Sequence, residues 1–387
     1  MRPELRLYVA KGVRVYFSSM ISILAPIYMA RIGLGPVMVG LGLMAIAAGN
    51  VASNIAVTWL GLGRRRALFT FAALMMASGL VLALIDWVPA IYMALLASNV
   101  STTGTEAGPF QSIEAGVLPR LVDQRARNRA FGIYNAVGYA ASSAGALSSA
   151  IPYLSISAAT LRTAFLGLAA AGAILLAIYA GLRGVEPAAA GARPGIRSFR
   201  PVALRDARNL AALFSIDAFG GGFVSQSVLS YWFYASYHAS LASLGEIFSI
   251  ANVITALSIY GASVLADRLG NLRTMVYTHL LSNLFLLLIP VGGTMTWAAA
   301  FLFLRQSTSQ MDVPTRQSMM AELFEDRERV GANALTNTFR TISSTASPPI
   351  AGYLISSGAD WGPLWAGGLI KIAYDLSIYV AYRERVK

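Results

Sequence analysis

Gly261-Ala-Ser-Val-Leu-Ala-Asp267-Arg268-Leu-Gly270-Asn-Leu-Arg273 stands between two long apolar runs, and its reading decides the fold. Each run is long enough for a helix, so the short polar link reads as the tip of a helical hairpin. Asp267 and Arg268 form a charged tip, and Gly270 supplies the left-handed backbone a tight link needs. Arg273 stands where a basic residue anchors the next helix at the cytoplasmic face of a bilayer.

Composition sets the solvent. The 387 residues are 56% hydrophobic and 12% charged, with a mean hydropathy of +0.59, whereas a soluble domain carries about 25% charged residues. No polar stretch is long enough to form a separate soluble domain. The chain reads as a polytopic helical membrane protein. Cysteine is absent, which excludes disulfides, thiolate metal sites and thiol nucleophiles. His238 and His279 are far apart in the chain, so no histidine metal cluster is expected. There is no G-x-x-x-x-G-K-[ST] loop to indicate ATP drive, and no constellation of catalytic groups. An enzyme, a metal or a cofactor is therefore not expected. Met1-Arg-Pro-Glu-Leu-Arg6 leads into an apolar segment without a small-residue cleavage site and reads as the entry to a first span.

A helix crosses a bilayer in roughly 20 apolar residues. Spans are predicted at residues 7–32, 37–60, 67–86, 88–112, 129–151, 160–183, 208–236, 240–266, 272–290, 294–318, 329–356 and 361–383. Twelve spans put both termini on one side. The net charge of +12 then sorts itself: 25 of the 30 Lys and Arg fall on that side. The opposite loops hold only Arg31 and Arg162. This asymmetry places the termini in the cytoplasm. It also accounts for the positive charge without nucleic acid, leaving the lipid bilayer as the expected partner. Asn99-Val-Ser101 matches a glycosylation acceptor but lies inside predicted span four.

The segment 184–207 differs in composition. Pro187, Pro194 and Pro201 forbid a continuous helix. It reads as a cytoplasmic linker between an N-terminal six-helix bundle, 1–183, and a C-terminal one, 208–387. The halves echo each other. Gly49-Asn50-Val51 matches Ala251-Asn252-Val253, and Pro109-Phe-Gln111-Ser112 resembles Pro314-Thr-Arg-Gln317-Ser318. Asp123-Gln-Arg125-Ala-Arg127 answers Asp326-Arg327-Glu-Arg329.

The opening stretch resembles the G-x-x-x-D-R-x-G-x-x-R signature of the major facilitator superfamily, and the two six-span repeats joined by a cytoplasmic linker are similar to the architecture of its members. The resemblance covers nearly the whole chain. It implies an all-α membrane fold of twelve transmembrane helices in two pseudo-symmetric bundles. The first-half loop departs from the signature: Leu60-Gly-Leu-Gly63-Arg64-Arg65-Arg66 has the basic residues but no Asp-Arg. Span five has Gly138 to Gly145 without the Gly-Pro pair of drug-proton antiporters, so an antiporter is not implied.

Charges inside spans carry the functional reading, because such groups are costly in lipid and face a bundle interior. Arg14, Glu106, Asp217, Glu246, Arg305, Asp312, Arg340, Lys371 and Asp375 qualify. Lys371 and Asp375 are four apart and can neutralise each other on one helix face, as can Asp312 and Arg316. Glu246 lies near the outer surface. His238 and His279 read as structural or solvated. Arg305 and Arg340 lack a sequence-local acid and are candidates to line the transport cavity, with Lys371 and Gln226. Asp217 precedes Gly220-Gly221-Gly222, which allows either a bend or close helix packing.

The resemblance implies a secondary active transporter of a small organic solute, working by alternating access. With Asp217, Glu106 and Asp375 as available acids, it also implies proton coupling. A facilitated or anion-selective carrier is the alternative within transport, and a receptor or assembly factor reusing the fold is the alternative outside it. The resemblance further implies that Asp267, with Arg268, Gly270 and Arg273, forms a gate against the start of span five near Arg127. That latch would favour the outward-open state.

Overall fold

The computed structural model describes residues 2–59, 63–105, 108–123, 126–150, 158–182 and 200–384. Sixteen α-helices lie among them: α1(Pro3–Arg31), α2(Pro36–Trp59), α3(Arg64–Leu84), α4(Val88–Ala97), α5(Pro109–Leu121), α6(Arg127–Ser148), α7(Ala158–Ala180), α8(Pro201–Gly222), α9(Gln226–Tyr237), α10(Leu241–Leu269), α11(Asn271–Leu288), α12(Met295–Ser309), α13(Asp312–Leu323), α14(Asp326–Thr345), α15(Ser347–Ser356) and α16(Gly362–Tyr382). They make twelve spans, because spans four, seven, ten and eleven are each broken once.

Each break has a local cause. Span four opens between α4 and α5 at a run of Ser and Thr, with Asn99 and Gly104 both at positive φ. Asn99 is buried in that break, its amide donating to the Ala97 carbonyl at 3.0 Å. Span seven breaks after the glycine triplet, where Ser225 Oγ caps the new helix by accepting from the Val228 N–H. Span ten breaks in the polar run ending at Gln310. Span eleven breaks before Pro348 and Pro349, which cannot continue the preceding ladder. Eight helical stretches among the described residues are long and apolar enough to cross a bilayer. Spans four, five, ten and eleven fall outside that set because they are broken or polar.

The helix of span seven begins at Pro201 and not at 208. A proline in the first turn gives up an N–H that has no partner there, so it starts a helix as readily as it ends one. The rest of the expected linker, 184–199, lies outside the described residues.

Two compact units share the chain. The first holds the described residues of 1–188 with 225–252; α1 packs there on α6, α7 and α9, and α3 on α7. The second holds those of 189–224 with 253–387; α8 packs on α14 and α16, and α11 on α12, α13 and α16. Leu210, Phe214, Met275, Met319, Tyr374 and Ile378 form much of the second unit's apolar core. The glycine triplet serves close approach there: a Cβ on Gly222 would meet the Ser344 carbonyl at 2.5 Å, and one on Gly220 the Gly367 carbonyl at 3.1 Å.

The hairpin tip behaves as the opening stretch demands. Gly270 sits between α10 and α11 with φ 83° and ψ 161°, a region that only glycine occupies without strain. Gly270→Ala and Gly270→Asn should therefore each destabilise the fold by about 1–3 kcal/mol. Thermal unfolding of the two variants checks this, and an asparagine that restored wild-type stability would contradict it.

Candidate functional site

In the second unit seven charged or titratable side chains form one cluster, built by five helices: Asp217, His279, Asp312, Arg316, Arg340, Lys371 and Asp375. Asp217 on α8 is at its centre. Lys371 Nζ on α16 donates to Asp217 Oδ1 at 2.5 Å. Arg340 Nη2 on α14 lies 3.5 Å from Oδ2, and Arg316 Nη1 on α13 lies 3.9 Å from it. Arg316 also pairs with Asp312 one turn earlier, at 3.0 Å. His279 on α11 approaches Asp217 Oδ1 with Nε2 at 3.7 Å. Its Nδ1 meets Asp375 Oδ1 at 2.7 Å, and the other Asp375 oxygen accepts from Asn283 Nδ2 at 2.9 Å. Phe214 presents its ring to the guanidinium groups of Arg316 and Arg340, at 5.5 and 6.0 Å. Tyr374 packs edge-on against both His279 and Phe214.

Two sequence expectations change here. Lys371 and Asp375 share a helix face but do not pair with each other. Lys371 reaches across to Asp217, and Asp375 takes His279 and Asn283, because a partner on a facing helix offers a shorter contact than the next turn does. His279 is not an isolated structural histidine. It bridges the two acids, with Lys371 Nζ 3.3 Å from its Nε2. One tautomer satisfies all of this: the ammonium donates to Nε2, and Nδ1–H donates to Asp375. The i, i+4 spacing of His279 and Asn283 was the available signal, but it lay in an otherwise apolar run.

Arg305 on α12 stands apart. It is buried, at 8% exposure, and no carboxylate lies within ion-pair distance among the described residues. Nη1 donates to Gln306 Oε1 at 2.5 Å, and Nε has no partner. Arg340 leaves 26% of its side chain accessible. Asn333 and Asn337 are exposed on α14, and Arg340, Thr341 and Ser344 are half-buried at helical spacing from them. A polar stripe of this kind on a span faces water or protein and not lipid.

The first unit holds a second buried pair. Arg14 on α1 grips Glu114 on α5 with both Nη atoms, at 3.0 and 2.8 Å. Tyr179 Oη and Tyr134 Oη donate to the same carboxylate at 2.7 and 2.8 Å. Glu114 lies beyond the predicted end of span four and the sequence reading did not single it out; after the break in that span helix α5 runs on to Leu121. Gln226 belongs to this unit, where its amide donates to Ser22 Oγ at 2.8 Å and to Ser19 at 3.3 Å. Glu246 is exposed, and Glu106 lies outside the described residues.

The residues expected to form a gate are peripheral to these clusters. Asp267, Arg268 and Arg273 are exposed. Arg127 is exposed at the start of α6, where its Nε donates to the Pro119 carbonyl at 3.1 Å.

The start of span seven is tied to the start of span eleven. Arg200 donates to Glu328 through its backbone N–H at 2.9 Å and through Nε and Nη2, each at 3.0 Å. It also pairs with Glu325 at 2.8 Å. The Arg200 side-chain bonds, then its backbone N–H, hold Glu328 down to about 2, below the usual carboxylate range. A carboxylate depressed in the folded state contributes its full stability above the unfolded value of 4.5. That contribution fades as pH falls from there toward about 2. The gap in melting temperature between wild type and Arg200→Gln should therefore be constant above pH 5 and narrow below it. A gap unchanged at pH 3 would contradict the clamp.

A polytopic helical bundle with buried charges clustered inside its spans is the build of a solute transporter. The chain belongs to the Major Facilitator Superfamily, whose family model matches residues 7–305 and 212–385. It is thus a member of a transporter family and not of an enzyme family. A Saccharomyces cerevisiae relative described as "Uncharacterized membrane protein YJR124C" is 22% identical over 378 residues, covering 87% of this chain and 84% of the relative. Among solved structures, an auto-inhibited peptide transporter of the POT family superposes with a TM-score of 0.76 at 10% identity, over 100% of this chain and 98% of its own. The nucleoside transporter NupG gives 0.70 at 14% identity, over 99% and 100%. A D-xylose-proton symporter gives 0.70 at 12% identity, over 97% of both chains. At these identities the likeness establishes the fold: twelve transmembrane helices in two pseudo-symmetric six-helix bundles.

Proposed function

We propose that this chain is a proton-coupled secondary transporter that moves a small organic solute by alternating access, as a monomer with both termini in the cytoplasm. The observation that carries the reading is the connected chain Asp375–His279–Lys371–Asp217 inside the spans. Its links are 2.7, 3.3 and 2.5 Å. Intramembrane ionisable groups are expensive and mark proton relays and ion pathways. The geometry also gives the chain two states. A second proton on His279 would sit beside the Lys371 ammonium. Two unit charges about 4 Å apart repel by about 4 kcal/mol at an effective dielectric of about 20. That exceeds the 1.4 kcal/mol that shifts an equilibrium tenfold. Asp375 and Asp217, 2.7 and 3.7 Å from the ring nitrogens, offset part of that repulsion, and the remainder would loosen the Lys371 contact with Asp217 next to the break in span seven.

The D-xylose-proton symporter shares the fold, which is compatible with proton coupling here. The charge bias of the loops supports the cytoplasmic termini. The test is uptake into proteoliposomes of a solute picked by thermal-shift screening, with and without an inward proton gradient. The reading requires accumulation only with the gradient. Equilibration without accumulation would make the chain a facilitated carrier, and no entry at all would make it a receptor.

A further inference from the structure

We infer that the solute carries a single negative charge, a carboxylate, and that Arg305 binds it. The inference rests on the transporter reading above and names the substrate class of the same cluster.

Charge balance is the first argument. The Asp217 cluster holds three cations, Lys371, Arg316 and Arg340, against three carboxylates, Asp217, Asp312 and Asp375, and buried Arg305 adds a fourth cation; Glu328 is matched by Arg200, and Asp206 lies three turns before Asp217 on α8. With His279 neutral, one positive charge is in excess. Buried ions are tolerated when paired and are costly when they are not. The excess has an address. Lys371, Arg316 and Arg340 each reach a carboxylate, whereas Arg305 reaches only the side-chain oxygen of Gln306.

Donor geometry is the second. Arg305 Nε is buried without a partner, and so is Arg340 Nε. Arg340 holds Asp217 only at 3.5 Å, longer than a charge-assisted hydrogen bond of about 2.7–2.9 Å. Both guanidinium groups thus keep unused donors. A guanidinium fork matches a carboxylate bidentately. Gln306 is held in turn, its amide donating to Thr255 Oγ1 at 3.2 Å and its oxygen accepting from Ser309 at 3.1 Å. This brace orients the Arg305 head without neutralising it.

Access is the third. Arg340 is partly open and lies on the polar stripe of α14 with Asn333 and Asn337. An anion following that stripe meets Arg340 first. There it competes with Asp217, whereas Arg305 is the cation left without a counter-charge.

The test uses the purified full chain in detergent and a panel of monocarboxylates, from acetate to benzoate and indole-3-acetate, each paired with its primary amide, with inorganic phosphate as a further arm. At least one carboxylate should raise the melting temperature and its amide should not. Arg305→Gln should weaken that carboxylate about tenfold or more, with Arg305→Lys falling between. The ligand-free Arg305→Gln protein should melt at or above the wild-type temperature, because an uncompensated buried cation has been removed. A structural arginine would give the opposite shift. The inference is overturned if no carboxylate stabilises the protein, if amides do so equally, if phosphate alone does so, or if Arg305→Gln binds unchanged. Binding is read without transport. A carboxylate that binds through Arg305 but is not carried leaves this inference standing and sinks the transport reading.

Discussion

Glu114→Ala is expected to destabilise the folded chain by about 3–5 kcal/mol. Glu114 is fully enclosed, at 0% exposure, and Arg14 keeps 2%. The carboxylate accepts from both Arg14 Nη atoms and from two tyrosine hydroxyls. Alanine strands a buried guanidinium without its carboxylate and removes the acceptor of both tyrosines. The Phe110 ring, 4.7 Å from the Arg14 guanidinium, offsets part of this, since a cation–π contact is worth about 0.5–2 kcal/mol. The double variant Arg14→Met/Glu114→Leu should lose much less than Glu114→Ala alone, because replacing both members of a buried pair with apolar groups is often neutral. Thermal unfolding of the three variants measures this. A double variant as unstable as the single one would show that the pair contributes through something other than charge compensation.

Asp375→Asn is expected to reduce gradient-driven accumulation at least tenfold while solute exchange across the membrane persists within a few-fold. Asparagine keeps the shape and still accepts from His279 Nδ1–H, so the site stays assembled. It cannot take a proton, and it removes the negative charge that would stabilise protonated His279 at 2.7 Å. His279→Gln should give the same split by a different route, deleting the link between Asp375 and Lys371. Asp217→Asn should also uncouple, without weakening the binding of an anionic solute, because it frees Lys371 and Arg340 from their acid. Accumulation that survives in Asp375→Asn would move the coupling group elsewhere, with Asp217 as the next candidate.

The fold was legible because membrane solvation imposes strong rules. The apolar runs, the Gly270 tip and the one-sided arginines each follow from chemistry that acts locally, and the helices fell close to their predicted places. The breaks were less legible. Hydropathy averages over a window, so it cannot see that Ser98 to Thr105 leaves the helix while the chain still crosses. That is why Glu114, beyond the predicted end of span four, was not singled out. The individual charges of the site were legible, since an intramembrane Asp217, Arg305, Arg340, Lys371 or Asp375 is conspicuous in any span. Their pairing was not. Spacing along one helix shows which groups share a face, as with Lys371 and Asp375, but the partner on another helix is fixed by packing of α8, α11 and α16. His279 acquired its place only through that packing, with Asn283 one turn away.

The central claim is that a proton enters with the solute through His279 and Asp375. The most direct measurement traps a pH-sensitive dye inside proteoliposomes at equal pH on both sides and adds the solute that screening selects, with protein-free liposomes as the control for passive leakage. Wild-type vesicles should acidify inside as the solute enters. Asp375→Asn vesicles should admit solute by exchange and acidify no more than protein-free liposomes do. Solute entry into wild-type vesicles with only the acidification that protein-free liposomes show would contradict the account.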